Sequence, residues 1–188
     1  MNRKGVATAQ FGEGLVNAFE DQYVVYYDHG DPDNSENVAA CKAFYGTPRE
    51  GVHNVNRLAD VDVLIADSGG RALVLIEIEE RPSSPKKILG DIFALAMSNC
   101  VAVGRGDQKY FTIGAQTHLI IAGVLAARGA SREKVETVIT RRLSSFHRQE
   151  CELNLRNVRL VFRESLVAAL EATFSSVEET LLKAHSTE

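Results

Sequence analysis

The run Leu75-Ile76-Glu77-Ile78-Glu79-Glu80 ends an apolar strand in three carboxylates, and this conflict most constrains the fold. Strand side chains alternate faces, so Glu77 and Glu79 share one face, roughly 6–7 Å apart along the backbone. A second carboxylate pair, Asp60 and Asp62, lies about one hairpin upstream. An antiparallel partner carrying Asp62 would place a third carboxylate beside the other two. Like charges that close repel by roughly 1–4 kcal/mol at surface-like dielectrics, so the pattern calls for a cation. A divalent metal with oxygen ligands answers it, and metal-assisted hydrolysis is the chemistry such a site performs. An ion pair from Glu77 to Arg57 or Arg71 within the sheet is the other way to keep that side chain buried.

With 188 residues, 45% of them hydrophobic, the chain is expected to form one domain over 1–188 that buries about 70% of its unfolded surface. No apolar run approaches the ~18 residues of a membrane span, and no signal-type apolar core follows Met1-Asn2-Arg3-Lys4-Gly5. A cytoplasmic protein is expected. Cys41, Cys100 and Cys151 are far apart and odd in number, so they read as reduced thiols and not as a zinc ribbon.

Charge is unevenly spread. Residues 11–80 hold 14 acidic side chains against Lys42, Arg49, Arg57 and Arg71. Residues 123–163 hold nine basic side chains, Arg141 and Arg142 among them, against four glutamates. A basic flank beside a metal-seeking acidic half suits a phosphodiester substrate, with Arg141 and Arg142 as candidate nucleic-acid contacts. The alternative is an ordinary solvated helix face, and a pI near 5.8 speaks against a strong general nucleic-acid binder.

Periodicity orders the elements. Ala7 to Gln22 has the apolar spacing of a helix, weakened by Gly12 and Gly14, and Tyr23 to Tyr27 reads as a strand. Val38 to Tyr45 is ambiguous, with a short helix as one reading. Ala59 to Asp67 reads as a strand, Ser68-Gly69-Gly70 as a hairpin turn and Arg71 to Glu79 as its partner. Ser83-Ser84-Pro85 opens a helix that runs to about Asn99. His118 to Val124 is a doubly buried strand, 131–146 a helix, Val158 to Phe162 a strand, and Ser165 to Ala184 a closing helix.

This order of helix, three strands, helix and strand, with an aspartate on the second strand and Glu-x-Glu on the third, resembles the PD-(D/E)XK nuclease superfamily, also called restriction-endonuclease-like. The resemblance covers about residues 7–124 and rests on a short, degenerate motif. The motif's aspartate matches Asp62, with Val61 where a proline would stand; the next acidic position matches Glu77. The motif's lysine position holds Glu79, as in some restriction endonucleases.

The resemblance implies an α/β fold with a restriction-endonuclease-like αβββαβ core, a mixed central sheet flanked by helices, and an added helix-strand-helix over about 125–188. It implies a metal-dependent endonuclease acting on DNA, a hydrolase of restriction or defence type, and a homodimer, because duplex cleavage needs two centres. Asp62, Glu77 and Glu79 would hold Mg²⁺, for which Mn²⁺ can substitute. Glu79 would ligate a second ion or accept the water's proton. Lys86 or Lys87 would return a cation to the site, with Lys87 among the expected catalytic residues beside Asp62, Glu77 and Glu79. Glu13 or Glu20 would complete the coordination, and Asp60, expected on the same face as Asp62, competes with it for the aspartate's role. A degenerate member that binds nucleic acid or a partner without catalysis is the competing expectation.

Overall fold

Apolar strands of this chain pair into two sheets. The computed structural model describes residues 5–29, 35–104, 107–125, 155 and 157–185. Its elements are α1 (Val6–Phe19), β1 (Val24–Tyr27), β2 (Cys41–Phe44), β3 (Arg57–Val61), β4 (Val63–Ala66), β5 (Ala72–Ser83), α2 (Pro85–Met97), β6 (Cys100–Val103), β7 (Lys109–Thr112), β8 (His118–Leu125), β9 (Asn157–Arg163) and α3 (Leu166–His185). The fold is α/β.

The larger sheet has the order β1-β4-β5-β8-β9. Its first three strands are antiparallel neighbours, and β5, β8 and β9 run parallel. Up to β8, the elements that build this sheet follow one another as helix, three strands, helix, strand. The helix expected over 131–146 lies outside the described residues; β9 and α3 follow it.

Both faces of the larger sheet are covered, as its near-continuous apolar strands require. On one face α1 and α3 bring Phe11, Leu15, Val177 and Leu181 onto Val63, Ile65, Val74, Ile76 and Ile120. On the other, α2 brings Ile88, Ile92 and Leu95 onto Leu64, Leu75, Leu119 and Ile121. Gly12 explains itself here: a Cβ on it would lie 2.2 Å from the Tyr27 ring, so glycine lets α1 sit directly on β1. The α2 start also follows local chemistry, with Ser84 accepting from the Lys87 amide at 3.3 Å and Pro85 in the first turn.

The second, antiparallel sheet has the order β3-β2-β6-β7, and the sequence reading did not anticipate it. Residues Cys41–Phe44 form a strand between β3 and β6 where a short helix was one expectation. Pairing on both sides decides that segment, because tertiary context overrides weak local preference. The strand expected over Ala59–Asp67 is likewise two strands. The chain bends at Asp62 and passes from the small sheet into the large one.

Candidate active site

That bend builds the site. β4 and β5 pair with Val63 opposite Ile76, and extending the register puts Asp62 opposite Glu77. The Ile78 amide donates to Asp62 Oδ2 at 2.7 Å, and Asp62 Oδ1 lies 3.9 Å from Nε2 of His29. Strand alternation sends Val74, Ile76 and Ile78 toward α1 and α3, and Leu75 toward α2. Glu77 and Glu79 follow Leu75 onto the α2 side. Glu79 stands next to Gly123 of β8, where a Cβ would come within 2.7 Å of its own Cβ. Its carboxylate is bound by the ammonium of Lys87 from the first turn of α2. Lys87 Nζ also lies 3.4 Å from Asp91 Oδ2, one turn further along the helix.

Burial sets the electrostatics. It pushes the Asp62 carboxyl up to about 6; the Ile78 amide and His29 oppose the shift, while Asp28 and Glu79 add to it. Glu77 is raised well above the usual carboxylate range, first by burial, then by Asp62 and Asp91, against the pull of Lys87. The residue as a whole is half-buried, but its Oε1 is enclosed and has no hydrogen-bond partner among the described residues. Asp91 is raised by burial and by Glu79, against Lys87. Burial lowers Lys87, yet its bond to Glu79 and the charges of Glu79 and Asp91 outweigh that and leave it raised.

A buried carboxylate oxygen without a donor costs several kcal/mol or takes up a proton. An oxygen-liganded divalent cation is a group that would satisfy it, and the donors present are hard carboxylate oxygens. The residue types therefore fit such an ion. As the side chains stand, no group of three His, Cys, Asp or Glu among the described residues forms a ready ligand set. Lys87 supplies the cation that meets Glu79.

Asp62, Glu77, Glu79 and Lys87 thus come together, and the remaining candidates stand apart. Asp60 is exposed and bound by Arg57, because the bend at Asp62 ends the alternation that would have put both aspartates on one face. Arg71 is engaged with Asp67, so the arginine pairs expected as an alternative for Glu77 serve other carboxylates. Glu13 and Glu20 are exposed, and α1 covers the sheet face opposite Glu77 and Glu79. Lys86 is exposed on α2. Arg141 and Arg142 lie outside the described residues.

Three residues at the site escaped the sequence reading: Asp28, His29 and Asp91. Only Asp91 carried a local signal, its i+4 spacing from Lys87. Glu80, the last carboxylate of the run, reaches the start of α1. It accepts from the Gly5 amide at 2.9 Å, the Thr8 amide at 3.2 Å and the Thr8 hydroxyl at 3.1 Å.

A cleft of about 1340 Å³ opens at the other end of the sheet, lined by Arg71, His118, Arg159 and Lys183 among others. Its cations are already engaged, Arg71 by Asp67 and both Arg159 and Lys183 by Glu179, so the chemistry concentrates at the carboxylate end. No helix among the described residues is long and apolar enough to cross a membrane. Comparison of the chain with protein-family models, with curated proteins and with solved structures finds no match.

Proposed function

We propose that this chain is a metal-dependent endonuclease of the PD-(D/E)XK, restriction-endonuclease-like type, hydrolysing phosphodiester bonds of DNA as a cytoplasmic homodimer. The observation that carries this reading is Glu77, whose enclosed Oε1 has no hydrogen-bond partner among the described residues, beside Asp62, Glu79, Asp91 and Lys87. The order of elements in the larger sheet supports it, with Asp62 at the head of the second strand and Glu77 and Glu79 on the third.

Asp62 and Glu77 would hold the divalent cation, Mg²⁺ with Mn²⁺ as a substitute. When bound, such an ion polarises a phosphate and lowers the pKa of a coordinated water. The Ile78 amide fixes the Asp62 carboxylate, so this ligand is already oriented. Glu79 would join them as a ligand or accept a proton from the attacking water. Lys87 provides the positive charge that the motif's own lysine position, occupied by Glu79, does not.

The test is incubation of purified protein with plasmid, linear and single-stranded DNA in Mg²⁺ and then Mn²⁺, with EDTA and Glu77→Ala as controls. Metal-dependent fragments that disappear in the variant are the expected result. DNA binding without cleavage would replace this reading with that of a degenerate binding module.

A further inference from the structure

We propose that Asp91 is a positioning residue of this site: it shares Lys87 with Glu79, and keeps the lysine at hand when a divalent cation takes the Glu79 carboxylate. The inference rests on the nuclease reading and deepens it.

Lys87 is oddly placed for a helix-stabilising residue. It lies three positions after the Ser84 cap, where the positive end of the helix dipole disfavours a cation. Lysine before aspartate at i,i+4 is also the weaker order for an intrahelical pair. Helix stability therefore does not account for the Lys87–Asp91 pair, whereas the neighbouring carboxylates do.

Mobility is divided unequally between the partners. Glu79 is 7% exposed and wedged beside Gly123, so its carboxylate stays where it is. The Lys87 side chain is 56% exposed and that of Asp91 30%. Asp91 is more exposed than Glu79 and already lies 3.4 Å from Lys87 Nζ, so the lysine can shift onto it.

Charge gives the exchange its direction. Among the described residues, Asp62, Glu77, Glu79 and Asp91 gather about the Lys87 ammonium, with His29 beside Asp62, and Glu77 Oε1 has no hydrogen-bond partner. A divalent cation among Asp62, Glu77 and Glu79 relieves that excess but competes with Lys87 for Glu79. With Lys87 on Asp91, the site would keep the lysine's charge while Asp62, Glu77 and Glu79 hold the ion.

Mn²⁺ titrations of the chelator-treated full chain, followed by calorimetry, test this through a double-mutant cycle. Lys87→Met removes the competitor and should tighten Mn²⁺ binding about fivefold, the scale of a partly exposed ion pair. Asp91→Asn leaves the lysine on Glu79 alone and should weaken binding by a similar factor. In the Lys87→Met background the Asp91→Asn effect should shrink below about twofold, because Asp91 acts through the lysine. Lys87→Arg, which keeps the charge, should bind like wild type and serves as the second reading if the methionine variant does not fold. Equal weakening by Asp91→Asn in both backgrounds would make Asp91 a direct ligand and overturn the proposal, as would unchanged affinity in Lys87→Met. Wild-type protein that binds no Mn²⁺ would remove the nuclease reading and this one together.

Discussion

The backbone amide of Ile78 donates to Asp62 Oδ2 at 2.7 Å. This bond joins β5 to the bend at which the chain leaves the small sheet for the large one. It lies one residue beyond Glu77, so the contact that holds the two-sheet junction also orients a carboxylate of the site. Structure and candidate chemistry are coupled at this point, and the variants below separate them.

Glu77→Gln should stabilise the metal-free protein at pH 8 and abolish its stabilisation by Mn²⁺. The amide is neutral, whereas the carboxyl it replaces must either lie buried as an anion among three carboxylates or hold a proton well above its usual range. Thermal melts in EDTA should show a midpoint at least about 2 °C higher than wild type. Added Mn²⁺ should raise the wild-type midpoint and leave the variant's unchanged.

Asp62 makes the metal-free protein less stable as pH rises. Its carboxyl is raised from an ordinary 3.8 to about 6, so the folded state holds this proton more tightly than the unfolded chain. The resulting stability is fully present below about pH 4 and is lost as pH rises through about 6, an effect of about 3 kcal/mol. Urea midpoints measured in EDTA from pH 4 to 7 should fall for wild type. Asp62→Asn, which still accepts from the Ile78 amide, should flatten that slope.

Gly123→Ala should cost about 1–3 kcal/mol in urea denaturation. The new Cβ would lie 2.7 Å from Glu79 Cβ and 3.0 Å from the Glu79 carbonyl oxygen, so β8 and β5 must separate or Glu79 must move. Weaker Mn²⁺ binding should accompany the loss.

Glu80→Ala should loosen the first turn of α1 at a cost of about 1–2 kcal/mol, the scale of a lost cap. Glu80 accepts two amides and a hydroxyl there, and these bonds hold its carboxyl below the usual range despite partial burial. Amide hydrogen exchange should speed up at Gly5 and Thr8 and stay unchanged in α2.

Reversing Arg141 and Arg142 to glutamate should weaken DNA binding and reduce its salt slope by about 2. Filter binding across a salt series reads both quantities, and unchanged curves would place the DNA face elsewhere.

Local pattern alone determined much of this protein: an α/β chain, the helices at α1, α2 and α3, the hairpin of β4 and β5, and the doubly buried β8. These elements declare themselves because apolar period, turn residues and capping chemistry act over a few residues. The same locality placed Glu77 and Glu79 on one face and put Lys87 just beyond them.

Only the tertiary structure decided the rest. The second sheet pairs β2 with β6 across more than fifty residues, and neither four-residue strand specifies a partner by itself. The bend at Asp62 separates Asp60 from Asp62, although alternation along a single strand would have kept them together. Asp91 joins the cluster because α2 docks against the sheet through Ile88, Ile92 and Leu95, and that docking brings its polar first turns over Glu79. Glu80 finds its partners on α1, more than seventy residues away. Side-chain type and period are local properties, whereas the burial and charge that act on a carboxylate come from elements that packing alone brings near.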